Sequence, residues 1–222
     1  KDLKEKWNKA AWDNQVFPLD EGNNVKNILR PPWEMELVQE TVLYPGTPTI
    51  ERWKSQQLIS FRRWEVATSL NYRDGNTGTL FAHGDQGGGY SLVIEDGQIL
   101  FSHNGYGEIT EIECGEVPKG NCSILLKVSP PDFLHWDIRI YINGDLVAER
   151  ERLLALLAMA PFQGIDIGID RKSPVNWRLF EKYGPFPFDG AIEEVRYLPG
   201  ELTDFAGSKW LDVLRSEGTK FE

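Results

Sequence analysis

The chain has 222 residues, enough for one full hydrophobic core with appended ends. Hydrophobic residues make up 41% and charged residues 26%, an ordinary balance for a soluble globular protein. The formal net charge is −10; with no basic patch to offset phosphate repulsion, that excludes sequence-independent binding to nucleic acid or anionic membranes.

Leu3, Trp7, Ala10, Ala11 and Asn14 fall at helical spacing and predict an amphipathic helix from Lys1 to about Gln15. Pro18 cannot continue it. A helix this short is marginal in water, so it and the extended arm after it are expected to pack on the main domain. Residues 20–32 carry Asn, Gly and two prolines and read as loop. The chain opens on Lys1 without a signal-peptide pattern, which reads as a processed or excised piece of open compartment. No apolar run approaches the roughly 20 residues of a membrane span; Leu153–Ala160 is far too short.

From about Leu58 the period changes to two. Trp64, Val66, Thr68, Leu70 and Tyr72 alternate with polar or small residues, and Asp74-Gly75-Asn76-Thr77-Gly78 turns the chain. Similar units recur at Tyr90–Glu95, Ile99–His103, Ile109–Cys114, Ser123–Val128, Trp136–Ile142, Leu146–Glu149, Ile165–Ile169 and Ala191–Leu198. With Asp96-Gly97 and Asn143-Gly144 as turn signals, these short strands predict a mainly β protein, an antiparallel sandwich or barrel. Leu153–Met159 reads as a short crossover helix, and Leu202 to about Leu214 as a C-terminal helix. The expected organisation is therefore an N-terminal helix and arm (1–57), a sandwich (58–198) and a helical tail (199–222).

The Gly-rich stretch LFAHGDQGGGY invites a phosphate-loop reading, but such a loop needs a helix after it to supply N–H groups and dipole. Here YSLVIEDGQILFSH follows, a hairpin on an Asp-Gly turn, so the phosphate reading fails. With Asp96-Gly97 as a two-residue turn, Ile94 faces Ile99, Leu92 faces Phe101 and Tyr90 faces His103. That leaves Tyr90 and His103 at the far end, near a Gly-rich loop carrying His83 and Asp85. Two readings stand: a core-facing end closed by a Tyr–His pair, or a polar cluster at the rim of a cleft. Cys114 and Cys122 are either two reduced, partly buried thiols or, if their strands neighbour, a bridge. Neither has the spaced partners of a zinc site. Asn121-Cys122-Ser123 matches a glycosylation sequon, a match short enough to arise by chance.

Six segments carry a family resemblance: Trp7 through VFPLD, LYPGTPTI (43–50), LFAHGDQGGGYSLVIEDGQILF, IYINGDLV (140–147), DIGIDRKSPV (166–175) and PFPFDGAIEEV (185–195). In order and spacing they resemble the C-terminal region of bacterial-type arylsulfatases, covering most of Trp7–Leu198. The resemblance implies a laminin-G-like, concanavalin-A-like jelly-roll sandwich. A sulfatase also needs a C/S-x-P-x-R motif, and no Cys or Ser here begins one, so the family's hydrolytic centre is absent from this chain.

Three functions then compete. One is a non-catalytic module binding a glycan or small molecule, which eight tryptophans support weakly because they also fill such cores. Another is a stand-alone cofactor-independent enzyme using acid/base chemistry, such as a cyclase, isomerase or lyase. The third is an assembly module for a homo-oligomer or a separate catalytic partner. If a site exists, its residues sit on loops and strand ends. His83 and His103 are the acid/base candidates, with Asp85 beside them. Asp85 and Asp170 could orient a histidine, bind a hydroxyl or share a cation, against the competing role of turn caps. Tyr90, Trp177 and Arg171 could supply a stacking surface and an anion-steadying group for the ligand, while His135 reads as surface. No cofactor is called for and no metal ligands are assigned; scattered Asp residues make only a weak case for calcium.

Overall fold

The computed structural model describes residues 2–14, 16–17, 39–157 and 160–206. The chain divides into two compact units, residues 1–32 and 33–222. The first contains helix α1 (Asp2–Asp13). Two i,i+4 pairs, Lys6–Asp2 at 2.7 Å and Lys9–Asp13 at 2.6 Å, brace its surface. Phe17 turns back on the helix, its ring 5.3 Å from Trp7 and 5.6 Å from Trp12, and Ala11 is buried. Leu3 and Trp7 of the expected stripe are exposed. The arm over residues 18–38 lies outside the described residues.

The second unit is an antiparallel two-sheet sandwich. Its elements in chain order are β1 (Thr41–Leu43), α2 (Arg52–Gln57), β2 (Arg62–Tyr72), β3 (Gly78–Asp85), β4 (Gly88–Glu95), β5 (Gln98–Gly105), β6 (Glu108–Glu116), β7 (Gly120–Asp132), β8 (His135–Ile142), β9 (Asp145–Leu154), β10 (Ile165–Ile167), α3 (Trp177–Tyr183) and β11 (Ala191–Leu202). One sheet runs β1-β11-β2-β7-β8-β9 and the other β10-β3-β4-β5-β6. The turn between β2 and β3 therefore carries the chain from one sheet to the other.

The first sheet shows the half-buried pattern that its sequence announces: in β2 every second residue from Trp64 to Tyr72 is buried, and the residues between them are not. Trp64, Val66, Ile124, Leu126, Ile140 and Tyr197 from this sheet meet Leu80, Tyr90, Leu92, Ile94 and Phe101 from the other. Burying each such side chain is worth roughly 1.5–3 kcal/mol. In the second sheet, strands β3, β4 and β5 are covered on both faces, while β6 is largely exposed. Its outer residues Val93 and Leu100 pack under Leu179, Tyr183 and Phe186, so α3 and its flanks lie across it as a strap. Arg178 fastens the strap to Glu95 at 2.9 Å and Glu111 at 2.8 Å. The Arg178 guanidinium, with Lys182 and the Tyr183 hydroxyl, holds the Glu95 carboxyl at about 2 against the opposing effect of burial.

Several expectations need correction. His83 and Asp85 lie on strand β3, and the connection to β4 is only Gln86–Gly87. A strand covered on both faces loses its polar alternation, which is why LFAHGD does not read as one. Gly84 has φ +106°, and a Cβ there would meet Gly88 O at 2.3 Å and Pro161 Cβ at 2.7 Å. The glycines of the opening stretch serve close chain approach. Leu153 and Leu154 end strand β9 and Ala155–Leu157 are irregular, so the expected helix over 153–159 does not form in the described part. Strand β11 runs to Leu202, and the tail helix expected beyond it falls mostly outside the described residues. Cys114 and Cys122 are both free and buried; burial pushes the Cys114 thiol up to about 11.

Candidate functional site

The hairpin register expected from Asp96-Gly97 is realised: Ile94 pairs with Ile99, Leu92 with Phe101 and Tyr90 with His103. Tyr90 also pairs with His83 across the other ladder. All three side chains lie in the interior. His83 Nδ1 is 2.9 Å from the Tyr90 hydroxyl and Nε2 is 3.1 Å from Ser55 Oγ. Ser55 donates its own proton to the Arg52 carbonyl at 2.9 Å. That assigns Nε2–H as the donor to Ser55 and leaves Nδ1 to accept from Tyr90. The Tyr90 and Tyr197 hydroxyls stand 3.5 Å apart at the far end. Burial lowers His83 to about 3 and raises both tyrosines, so the chain of groups is neutral throughout the physiological range.

His103 packs edge-on against Trp136. Its Nε2 has no partner among the described residues. Burial lowers it to about 4, opposed by a hydrogen bond with the Leu154 backbone. Asp85 accepts from the Gly87 N–H at 2.7 Å, a turn cap. Asp166, which sequence reasoning passed over, accepts from Thr49 Oγ1 at 2.6 Å and Arg171 Nη1 at 2.7 Å. Asp170 accepts from the Val175 N–H at 2.9 Å. Burial pushes it up to about 7, helped by the charges of Asp166 and Asp85 and opposed by that N–H. Arg171 is therefore engaged by Asp166, and Trp177, half-exposed on α3, stacks on Phe180 at 5.4 Å. His135 pairs with Asp132 at 2.7 Å. Among the described residues no group of three His, Cys, Asp or Glu side chains is arranged to hold a metal ion.

A different constellation opens to solvent at the opposite end of the hairpin. Gly78 pairs with Ile94, which sets the β2–β3 turn beside the β4–β5 turn. Between them is a cleft of about 430 Å³, lined by Tyr72, Asp74, Gly75, Asn76, Thr77, Asp96, Gly97 and Tyr183. Its walls are fixed. Asp189 Oδ1 accepts from Thr77 N at 2.8 Å and Asn76 Nδ2 at 3.2 Å, and Thr77 Oγ1 donates to Ile94 O at 2.7 Å. The Tyr183 ring stacks on Phe186 at 4.1 Å and its hydroxyl donates to Glu95 at 3.0 Å.

Tyr72 forms the floor. Only 5% of it is exposed, and its hydroxyl lies 3.6 Å from where a Cβ on Gly97 would stand. Among the described residues that hydroxyl makes no hydrogen bond, although it reaches solvent through the cleft. Sequence reasoning had Tyr72 as a strand position and Asp74–Thr77 and Asp96-Gly97 as turns, and passed over Tyr183. The missing link was the adjacency of two turns that are about twenty residues apart in the chain, which only the β3–β4 pairing supplies.

No protein-family model matches the chain, and no curated protein matches it in sequence. Solved structures do. The CBM40 domain of the Ruminococcus gnavus IT-sialidase, bound to α2,6-sialyllactose, has a TM-score of 0.50 at 14% identity, over 75% of this chain and 93% of that one. Domains LG4-5 of the mouse laminin α1 chain have a TM-score of 0.48 at 10% identity, over 76% of this chain and 41% of that one. A botulinum neurotoxin type C structure, described by the dependence of cell entry on two ganglioside molecules, has a TM-score of 0.43 at 9% identity, over 80% and 39%. At these identities the likeness concerns fold: the chain has a laminin-G-like, concanavalin-A-like jelly-roll sandwich.

Proposed function

We propose that this chain is a non-catalytic β-sandwich that binds a glycan in the cleft around Tyr72, descended from the kind of module found at the C-terminus of arylsulfatases. The observation that carries the reading is the Tyr72 hydroxyl, sunk in the core yet open to the cleft and without a hydrogen bond among the described residues. A hydroxyl so placed is a donor and acceptor held ready for a ligand at small entropic cost. The cleft volume of about 430 Å³ falls in the range of small-molecule sites, roughly 300–1,000 Å³. The CBM40 neighbour binds a sialylated sugar, which lends the glycan reading support by analogy of fold. The packed interior favours binding over small-molecule catalysis, since His83 spends both ring nitrogens on Tyr90 and Ser55.

The test is a printed glycan array probed with the wild type and with Tyr72→Phe. Wild-type signal on a defined set of glycans, cut about three- to tenfold by loss of one hydrogen bond in the variant, is the expected result. Signal that survives Tyr72→Phe moves the site elsewhere on the molecule. An array without any bound glycan ends the glycan reading.

A further inference from the structure

The charges around the cleft bear on which sugars it accepts. None of the described residues lining it is a cation, and two lysines are tied to its carboxylates. Lys119 pairs with Asp74, Lys182 with Glu95 at 3.0 Å and Asp96 at 3.8 Å, and Arg178 with Glu95 and Glu111. At each of them an incoming carboxylate or sulfate would compete with a carboxylate of the protein already in place. Asp96, which also lines the cleft, is held at φ +51° in the hairpin turn with its side chain 83% exposed and its carboxylate only 3.8 Å from Lys182. Asp74 lines the cleft from the opposite turn. The whole chain carries a net charge of −10, which adds a repulsive field for anions.

Resting on the glycan reading above, we infer that the ligand is a neutral, hydroxyl-rich sugar and that sialylated, sulfated or uronate-bearing glycans are refused. The hydroxyls of a neutral sugar donate to Asp74 and Asp96, and the ring or a hydroxyl oxygen accepts from the Tyr72 hydroxyl. Both aromatic faces of Tyr183 are taken up, one stacked on Phe186 at 4.1 Å and the ring approached by Lys182 Nζ at 4.7 Å. Recognition is therefore by hydroxyl hydrogen bonds at the cleft floor and rim, with the tyrosine edge as a wall.

The experiment compares matched glycans on one array: lactose with α2,6-sialyllactose, and neutral disaccharides with their sulfated, uronate and amine-bearing counterparts. Binding is read at about 50 and 500 mM NaCl, salt concentrations that bracket strong and weak screening. The expected result is a signal confined to neutral members, changed less than about twofold by salt because no net charge is exchanged. Asp96→Lys, which places an uncommitted cation at the mouth, is expected to recruit the sialylated and sulfated members. A wild-type preference for anionic glycans, or for amino sugars over their neutral parents, overturns the inference about class. If Tyr72→Phe still weakens that binding, the cleft stands as the site and only the class is wrong. Neutral binding insensitive to Tyr72→Phe overturns both.

Discussion

Tyr90 and Tyr72 belong to the same sandwich, and both are more than nine-tenths buried. They differ in what their hydroxyls find. The Tyr90 hydroxyl closes a relay from Ser55 through His83 toward Tyr197, whereas the Tyr72 hydroxyl faces an open cleft and makes no hydrogen bond among the described residues. The lesson concerns how to locate function in a filled sandwich. A histidine with a strongly displaced pKa draws attention first, yet here the displacement comes from burial and both ring nitrogens are spent. Among the described residues, the buried group that makes no hydrogen bond and opens on a cleft is a plain tyrosine at a strand end.

The largest way to break the comparison is His83→Leu. It leaves two buried hydroxyls, Tyr90 and Ser55, without their partner, and urea unfolding at pH 7 is expected to show a loss of about 3 kcal/mol. Glycan binding by the folded fraction should not change. The folded pKa of His83, about 3, lies below the unfolded value near 6.5. The unfolded state therefore takes up the proton first, and the stability due to neutral His83 is complete above pH 6.5 and falls as pH drops toward 3. The difference between wild type and His83→Leu should accordingly shrink by about 2 kcal/mol between pH 7 and pH 5. A difference that stays constant with pH would mean the imidazole is not held neutral.

Asp170 is the intermediate case, half-buried and accepting from the Val175 N–H. Its folded pKa of about 7 lies above the unfolded value near 3.9, so its sign is the reverse of the histidine's. Its contribution is best below pH 4 and is lost as pH rises through 7. Asp170→Asn keeps an oxygen for the Val175 N–H and removes the charge facing Asp166 and Asp85. Thermal unfolding should show it stabilising by about 1–2 kcal/mol at pH 8 and neutral near pH 4. Equal effects at both pH values would discard the charge argument.

The smallest difference is the sharpest. Tyr90→Phe should cost about 1 kcal/mol, since it strands His83 Nδ1, while Tyr72→Phe should stay within about 0.5 kcal/mol because no intramolecular bond is lost. Urea midpoints measured side by side decide it. Equal costs would mean that the Tyr72 hydroxyl is satisfied within the protein.

Local chemistry made much of the fold legible. Asp96-Gly97 announced its hairpin and all three facing pairs, and period-two alternation announced β2. Legibility ended where the deciding contact was distant. Facing residues share a side of the sheet, but the Tyr90 hydroxyl reaches His83 rather than His103, which depends on the whole inward packing of three rings. Helices α2 and α3 span six and seven residues, too short for a periodic stripe to declare itself. They form because Glu51 and Asn176 cap them and the sandwich offers apolar seats. The His–Tyr pair was visible as residues but not as a closed system, and the cleft was visible as turns but not as neighbours.

The relay has a consequence on the timescale of hydrogen exchange. The Tyr90 hydroxyl proton sits between two other rings, sealed from water by both sheets. Most hydroxyl protons exchange too quickly to be seen by NMR, but this one can leave only when the sheets part. Its resonance would thus report the opening of the interior directly, a built-in gauge against which any tightening by ligand at the far end of the hairpin can be read.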